Sequence, residues 1–275
     1  MNNNMGKKVL IIGGNSSICD EVIINLEKVG FQIDLMTYRN EENKKNIKDF
    51  SRYNWKHLDL RDKKSTEDFI LELKENYYDV IWCVPTYQAG GRDPMDTPRD
   101  FLEDLYGNFI VNYIDLIRNL AFKALKDEGR MIYQSSESAN VPTDMQDYSA
   151  AKATIQAYVR SLAKKIKNKA IFTIATTGIY DSRAYHDHGG AEYYKLDPGR
   201  WVQKKEISEL IRFSDLQDNG KVFTLGFCPM KTDIVSRHAG IIYPYNFFAW
   251  SEGTWYGRTD LNFGAKDVLS NHEKP

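Results

Sequence analysis

The sequence predicts an α/β fold of the doubly wound type, in which a parallel sheet of about seven strands carries helices on both faces. Short apolar runs bounded by Gly, Asp or Asn alternate along the chain with longer stretches of helical period. The runs are almost continuously apolar, which is typical of strands that are buried on both faces of a parallel sheet. Strands and helices in this order favour right-handed crossovers within one sheet.

Seven runs are predicted to be strands, in the order KKVLII, FQIDLMTY, NWKHLDL, YYDVIWCV, GRMIYQ, KAIFTIAT and GKVFTLG. The predicted helices are residues 17–29, 41–50, 63–76, 98–126, 148–167 and 204–213. The 98–126 segment is apolar around most of its circumference, so we expect it to be covered on more than one side, either by the same chain or by a second subunit. We favour a subunit interface formed together with the 148–167 helix. The alternation of apolar runs with helical stretches stops near Phe227, and the aromatic residues of the tail that follows are expected to be buried.

The composition indicates one folded domain over residues 1–275, with a core at about 6–226, a covering loop at about 182–203 and a tail at 227–275. Lys plus Arg (37) nearly cancel Asp plus Glu (38), which argues against nucleic acid or a membrane surface as the partner. The three cysteines are far apart and form no CxxC pair, so neither a disulfide framework nor a zinc site is expected. The N-terminal apolar run is too short for a signal peptide or a membrane span, and we expect a cytoplasmic protein.

The first predicted strand runs into IGGNSSICDEVIINL, a turn of small residues that opens a helix. Small residues allow the backbone to approach a pyrophosphate, and the free N–H groups of a helix N-terminus stabilise its charge. Gly13 and Gly14 are present, but Ser17 and Cys19 stand where further glycines of a dinucleotide fingerprint are expected. A tight strand-to-helix turn without a ligand would use the same residues.

Two residues near the ends of the next strands bear on the choice of cofactor. Arg39 follows the second strand. An acidic residue at this position would bind the ribose hydroxyls of NAD, whereas the guanidinium of an arginine would bind the 2′-phosphate of NADP. Asp59 ends the third strand, where it would accept a hydrogen bond from the adenine amino group. This pattern favours NADP, although a solvated arginine at a strand end is the simpler interpretation.

DYSAAKA places a tyrosine and a lysine four residues apart at the start of a predicted helix. Tyr148 and Lys152 would share one face of that helix, about one turn apart. An ammonium beside a phenol favours the phenolate, which makes the phenol a better proton donor near neutral pH. A surface tyrosine and a solvated lysine would show the same spacing.

The turn, Arg39, Asp59 and the Tyr-x-x-x-Lys pattern, in this order, resemble the short-chain dehydrogenase/reductase family over roughly residues 6–226. The resemblance implies a Rossmann-like fold and a nicotinamide cofactor. The chain departs from the family at two turn glycines, and Cys83, Val84, Pro85 and Thr86 replace its Asn-Asn-Ala-Gly stretch.

Carried over by position, the resemblance implies a catalytic set of Asn108, Ser136, Tyr148 and Lys152, with Asn112 and Ser135 as alternatives to the first two. It implies cofactor contacts from Gly13, Asn15, Ser16, Ser17, Ile18, Arg39, Asp59, Leu60, Tyr148, Lys152, Ile179 and Ser182. In this assignment Tyr148 is the general acid, Lys152 tunes it, Ser136 polarises the carbonyl and Asn108 holds a chain of waters.

The resulting hypothesis is an NADP(H)-dependent carbonyl reductase, a homodimer or homotetramer without a metal. The polar loop at 182–200 favours a hydrophilic substrate such as a keto-sugar or its nucleotide conjugate. Two alternatives are a non-catalytic NADP(H)-binding sensor or scaffold, which the lost glycines would suit, and a nucleotide-sugar epimerase or dehydratase.

Overall fold

A computed structural model of the protein describes residues 5–38, 52–85, 87, 97–140, 145–176, 178–179, 182, 201–225, 247–251 and 254–257. Within them the strands are β1 (Lys8–Ile12), β2 (Gln32–Thr37), β3 (Asn54–His57), β4 (Tyr78–Cys83), β5 (Leu125–Ser136), β6 (Ala170–Thr176), β7 (Gly178–Ile179), β8 (Trp201–Val202), β9 (Val222–Leu225), β10 (Phe247–Ser251) and β11 (Thr254–Gly257).

Seven of these strands form a parallel sheet in the order β3-β2-β1-β4-β5-β6-β9. The chain order reverses between β1 and β4, and ligands of such sheets bind outside the carboxyl ends of the strands at this switch point. The hairpin β10–β11 continues the sheet beyond β9 with antiparallel pairing. Strands β7 and β8 form a separate parallel pair.

The described helices are α1 (Cys19–Lys28), α2 (Lys63–Glu72), α3, α4 (Gln146–Lys165) and α5 (Lys204–Phe213). Helix α3 consists of four consecutive segments, Arg99–Leu102, Glu103–Ile110, Val111–Asn119 and Leu120–Ala124, of which the second and fourth have π-helical hydrogen bonding. All five agree with predicted helices to within a few residues. The helix predicted at 41–50 lies outside the described residues.

Successive residues of each central strand enter opposite halves of the core. Val9 and Ile11 of β1 pack with α1 and α5, whereas Leu10 and Ile12 pack with α2, α3 and α4. This two-sided burial is the reason that the strands read as continuous apolar runs. The predicted fold class, a doubly wound parallel sheet with helices on both faces, is confirmed. The division into one domain with a lid and a tail stays a prediction.

Polar side chains at the amino edge of the sheet cap the C-terminal ends of helices, which reach this edge because the helices run antiparallel to the strands. Lys169, just before β6, donates to the carbonyls of Ala121 (3.0 Å) and Leu125 (2.6 Å) at the end of α3. The amide of Asn219 likewise donates to Ala163 and Ile166 at the end of α4, and its oxygen accepts from the backbone N–H of Ile171. Cations and amides at these positions satisfy carbonyls that have no partner within the helix.

Of the helices in the described part of the chain, none is both long enough and apolar enough to cross a membrane.

Candidate active site

Tyr148 and Lys152 lie one turn apart on the first half of α4, as their spacing predicts. Tyr148 is half-buried near the start of the helix, and Lys152 is only 4% exposed. The residues between them are Ser149, Ala150 and Ala151, whose small side chains leave room on this face of the helix. The pair stands above the carboxyl end of β5, next to the switch point of the sheet.

The ammonium of Lys152 is held between two aromatic rings and one carbonyl. Its Nζ donates to the backbone oxygen of Gln134 (2.8 Å) and lies 5.3 Å from the ring centroid of Tyr133 and 5.8 Å from that of Tyr148. Burial lowers the pKa of Lys152 to about 7, because a buried ammonium loses its hydration. The lysine therefore changes its charge in the physiological pH range.

The two serine candidates end strand β5 and, as successive residues of a strand, point to opposite faces. Ser136 caps the short 3₁₀ turn Glu137–Ala139, since its Oγ accepts from the backbone N–H of Ser138 (3.3 Å). The Oγ of Ser135 is buried and has no hydrogen-bond partner of ordinary geometry among the described residues. By this alternation Ser135 shares the face of Tyr133, whose ring contacts Lys152, and Ser136 points to the other face.

The turn after β1 is closely packed against its neighbours. Gly13 has a φ of +83°, and a Cβ at this position would lie 3.2 Å from the Pro85 ring, so a glycine is required. The N–H groups of Gly13 and Gly14 both donate to the carbonyl of Met36. Cys19, which stands where a glycine was expected, is fully buried, and its thiol donates to the carbonyl of Gly13 (3.6 Å). Burial raises the pKa of this thiol, so Cys19 serves packing.

The N-terminus of α1 has no side-chain cap at Ile18, but two backbone N–H groups of its first turn have partners within the protein. The N–H of Cys19 donates to the carbonyl of Ser16 (2.9 Å), and the N–H of Glu21 donates to the carboxylate of Asp20 (2.7 Å). The first turn also carries Asp20, whose charge would repel an anion. Lys204 at the start of α5, itself almost fully buried, pairs with this carboxylate (2.9 Å) and offsets its charge. The helix dipole therefore favours a phosphate at this end, whereas the Asp20 carboxylate bound to the Glu21 N–H opposes it.

Asp59 and Leu60, the expected adenine contacts, both form hydrogen bonds within the protein. The carbonyl of Leu60 accepts from the side chain of Asn112. The carboxylate of Asp59 accepts from the backbone N–H of Arg61 (2.9 Å) and from its guanidinium (3.2 and 3.1 Å). The guanidinium lies 4.4 Å from the ring centroid of Tyr38, the last described residue before Arg39, and donates to the Tyr38 hydroxyl. Arg39 lies outside the described residues, so the structure does not address its expected phosphate contact.

The two asparagine candidates are one turn apart on α3 but differ in exposure and in hydrogen-bond partner. Asn108 is exposed and donates to Asp104 (3.1 Å), which also accepts from the Tyr87 hydroxyl (2.5 Å). Asn112 is buried and donates to the carbonyl of Leu60 (3.0 Å), which braces the loop after β3.

Beyond β6, Ile179 and Ser182 are both buried, and the N–H of Ser182 donates to the carbonyl of Ile179 (3.2 Å). Ile179 pairs with Val202 between β7 and β8, which joins the two ends of the predicted substrate loop. Residues 183–200 of that loop lie outside the described residues.

Sequence reasoning did not single out Tyr133, Arg61 or Lys204. Tyr133 was hidden within an apolar strand, although an aromatic residue three positions before Ser136 is visible in MIYQSS. Arg61 follows Asp59 by two residues, a spacing that allows the bidentate contact seen here. Nothing in the sequence indicates the pairing of Lys204 with Asp20, because the two residues are 184 positions apart.

The fold and site define a member of the short-chain dehydrogenase family. The sequence model of that family, described as short chain dehydrogenase, matches residues 7–187, about two thirds of the chain, and the chain belongs to this family. It is thus an oxidoreductase of a family that uses a nicotinamide cofactor and acts on small molecules. No curated protein matches the chain in sequence.

Several solved structures share the fold. A dehydrogenase/reductase from Sinorhizobium meliloti 1021 is 19% identical with a TM-score of 0.66, covering 81% of this chain and 94% of that one. A short chain dehydrogenase from Burkholderia cenocepacia J2315, in complex with NADP, is 17% identical with a TM-score of 0.67, covering 81% and 97%. BdcA in complex with NADPH is 17% identical with a TM-score of 0.67, covering 80% and 93%. At these identities the similarity establishes the fold alone.

Proposed function

We propose that the protein is an NADP(H)-dependent reductase that converts a carbonyl group of a polar small molecule to an alcohol, or catalyses the reverse reaction. The observation that carries the proposal is the Tyr148–Lys152 pair at the carboxyl edge of the sheet, with a buried ammonium 5.8 Å from the phenol ring centroid. The close glycine turn between β1 and α1 supports a dinucleotide, and the position of Arg39 favours the 2′-phosphate. Complexes of similar folds with NADP and NADPH agree with this preference.

The bound cofactor would supply the hydride, and the protein would manage the proton. Tyr148 donates its proton to the carbonyl oxygen as negative charge develops there. Lys152 stabilises the phenolate that remains; at about 6 Å and an effective dielectric of about 20 the attraction is on the order of 3 kcal/mol. We assign the second donor to the carbonyl to Ser135, which shares the strand face of Tyr133, with Ser136 as the alternative. We assign the water chain to Asn108, whose amide stays accessible to solvent.

The test is to titrate NADPH and NADH by fluorescence and then follow NADPH oxidation with a panel of polar and apolar carbonyl compounds. We expect tighter binding of NADPH than NADH and turnover of a polar carbonyl. Tyr148→Phe should retain NADPH binding but lose turnover by about 10²–10⁴-fold. Tyr158→Phe, a change of the same size further along α4, should leave both unchanged.

Two results would contradict the proposed reductase and favour one of the two alternative functions. NADPH binding without turnover of any compound, unaltered in Tyr148→Phe, would favour a sensor or scaffold. Product formation without net consumption of a tightly retained cofactor would favour an epimerase.

We also propose that the protein forms a homodimer or homotetramer through α3 and α4. Val111 and Phe122 on the outer face of α3 are 56% and 57% exposed in the single chain, which is unusual for large apolar residues on one helix face. Light scattering should give a multiple of the 31.8 kDa chain mass. Val111→Glu should reduce it to the monomer, and a monomeric parent protein would contradict the proposal.

A further inference from the structure

The position of the Lys152 ammonium is set by strand β5. Its hydrogen bond to the Gln134 carbonyl and its contact with the Tyr133 ring both come from that strand. The amides of the two asparagine candidates on α3 donate elsewhere, Asn108 to Asp104 and Asn112 to Leu60. An ammonium has three donors, and a single backbone carbonyl does not fix its place in a buried site.

Tyr133 is rigidly held beneath this ammonium. It lies on a central strand, in register with Cys83 on one side and Thr173 on the other, and is 1% exposed. Its ring also makes an edge contact with Tyr113 of α3, with centroids 6.1 Å apart. Its hydroxyl interacts with Ser135 but makes no hydrogen bond of ordinary geometry among the described residues, and burial raises its pKa. The ring is therefore the part of Tyr133 that contacts Lys152.

We propose that Tyr133 is a positioning residue for Lys152: the face of its ring attracts the ammonium and holds it beside Tyr148. A cation within about 6 Å of a ring centroid is attracted by the negative face of the ring, more strongly in a buried site than in water. The two rings at 5.3 and 5.8 Å therefore stabilise a charge that has lost its hydration. The importance of this contact for catalysis rests on the proposed function, whereas the contact itself can be tested without turnover.

Few other charges compete with the rings at this point. The titratable groups that face Lys152 are Tyr148 on its own helix and Tyr133 on β5, with Cys83 of β4 and Tyr113 of α3 lying behind Tyr133. Among the described residues no carboxylate forms an ion pair with Lys152, and burial alone accounts for its lowered pKa. A change in the electron density of the Tyr133 ring should therefore be visible in the titration of the lysine.

The experiment measures the pKa of Lys152 by NMR in cofactor-free protein labelled with ¹³C at lysine Cε, with Lys152→Met to assign the signal. Tyr133→Phe keeps the ring and should leave the pKa within a few tenths of a unit. Replacement of residue 133 by phenylalanines with increasing fluorination keeps the shape but removes the negative face. It should lower the pKa stepwise, by about one unit in all, if the contact contributes on the order of 1.4 kcal/mol.

Tyr113→Leu and Tyr133→Leu form a matched pair of core truncations. Both should lower the melting temperature, but only Tyr133→Leu should move the lysine titration. A titration that fluorination does not change, or that shifts equally in Tyr113→Leu, would overturn the proposal. Loss of NADPH turnover in the panel, with a normal fluorination series, would instead reject only the proposed function.

If turnover is found, increasing fluorination of the ring at residue 133 should reduce kcat at alkaline pH. The alkaline limb of the plot of kcat against pH should move to lower pH, while KM for NADPH stays nearly constant. A merely structural role of Tyr133 would change the amount of folded enzyme without moving that limb.

Discussion

Lys152 and Lys169 are both buried lysines, 4% and 5% exposed, at opposite edges of one sheet. At the amino edge, Lys169 has two carbonyl partners at the end of a helix, where the helix dipole also favours its charge. At the carboxyl edge, Lys152 has one carbonyl and two aromatic rings. The first lysine completes the hydrogen bonding of the fold, whereas the second leaves donors for a ligand.

The neighbours of the two lysines differ in the same way. Asn219 at the amino edge uses both its amide and its oxygen on backbone groups. At the carboxyl end of β5, the hydroxyl of Ser135 and the side-chain oxygen of Gln134 are buried and make no hydrogen bond of ordinary geometry within the described part of the chain. Unsatisfied buried polar groups cost free energy, and these two lie on the strand that delivers the proposed catalytic hydroxyl. Others lie elsewhere in the core, for example on Trp82 and Thr173.

The largest expected effect is on turnover. Lys152→Met should lower kcat/KM for NADPH oxidation by about 10³-fold, because the phenolate of Tyr148 loses its cation. The free energy of unfolding, measured with urea, should not fall, since a poorly solvated charge is removed. A large loss of stability together with retained turnover would assign Lys152 to the structural class of Lys169.

The reciprocal substitution, Lys169→Met, should lower the free energy of unfolding by about 3 kcal/mol, because two buried carbonyls lose their donor. Turnover per folded molecule should be unchanged, as Lys169 lies at the far edge of the sheet. Urea denaturation and active-site titration of the remaining folded protein check the two expectations separately.

The next expected effect is on the pH dependence of stability. Burial lowers the pKa of both lysines, and the consequence is worked out here for Lys152. The pKa of Lys152 is about 7 in the folded protein and about 10.4 when unfolded, so between these values only the unfolded chain binds the proton. Stability relative to Lys152→Met should therefore rise with pH above 7, by up to roughly 1.4 kcal/mol per unit, and be constant below it. Parallel pH curves for the two proteins would show that Lys152 is not desolvated.

The smallest effects concern the adjacent serines. Ser135→Ala removes an unpaired buried hydroxyl and should change the unfolding free energy by less than about 1 kcal/mol, in the stabilising direction. Ser136→Ala removes the cap of a short turn and should cost about 0.5–1 kcal/mol. Turnover assigns the catalytic hydroxyl: a loss of about 10²-fold is expected in Ser135→Ala, and the same loss in Ser136→Ala alone would transfer the role to Ser136.

Most of the sheet could be predicted from the sequence, because strands buried on both faces give unbroken apolar runs such as KKVLII for β1. Strands β7 and β8 could not be predicted, since two residues carry no periodicity. The hairpin β10–β11 lies in an aromatic tail without alternating helices, so the α/β rhythm gave no signal for it.

The site was predictable where it depends on local spacing. Four residues on a helix place Tyr148 and Lys152 on one face, and that placement agrees with the structure. The partners of the lysine on β5 were not predictable, because they depend on how α4 packs on the sheet. The same holds for Asn108 and Asn112, whose different exposure depends on how α3 lies over β4 and β5.

Both outer strands of the sheet, β3 and β11, are only four residues long. A short edge offers few unpaired backbone groups to a neighbouring molecule, and β3 also carries Lys56, paired with Glu72, at that border. Edge-to-edge aggregation, the usual hazard of an open sheet, is thereby disfavoured at the described edges.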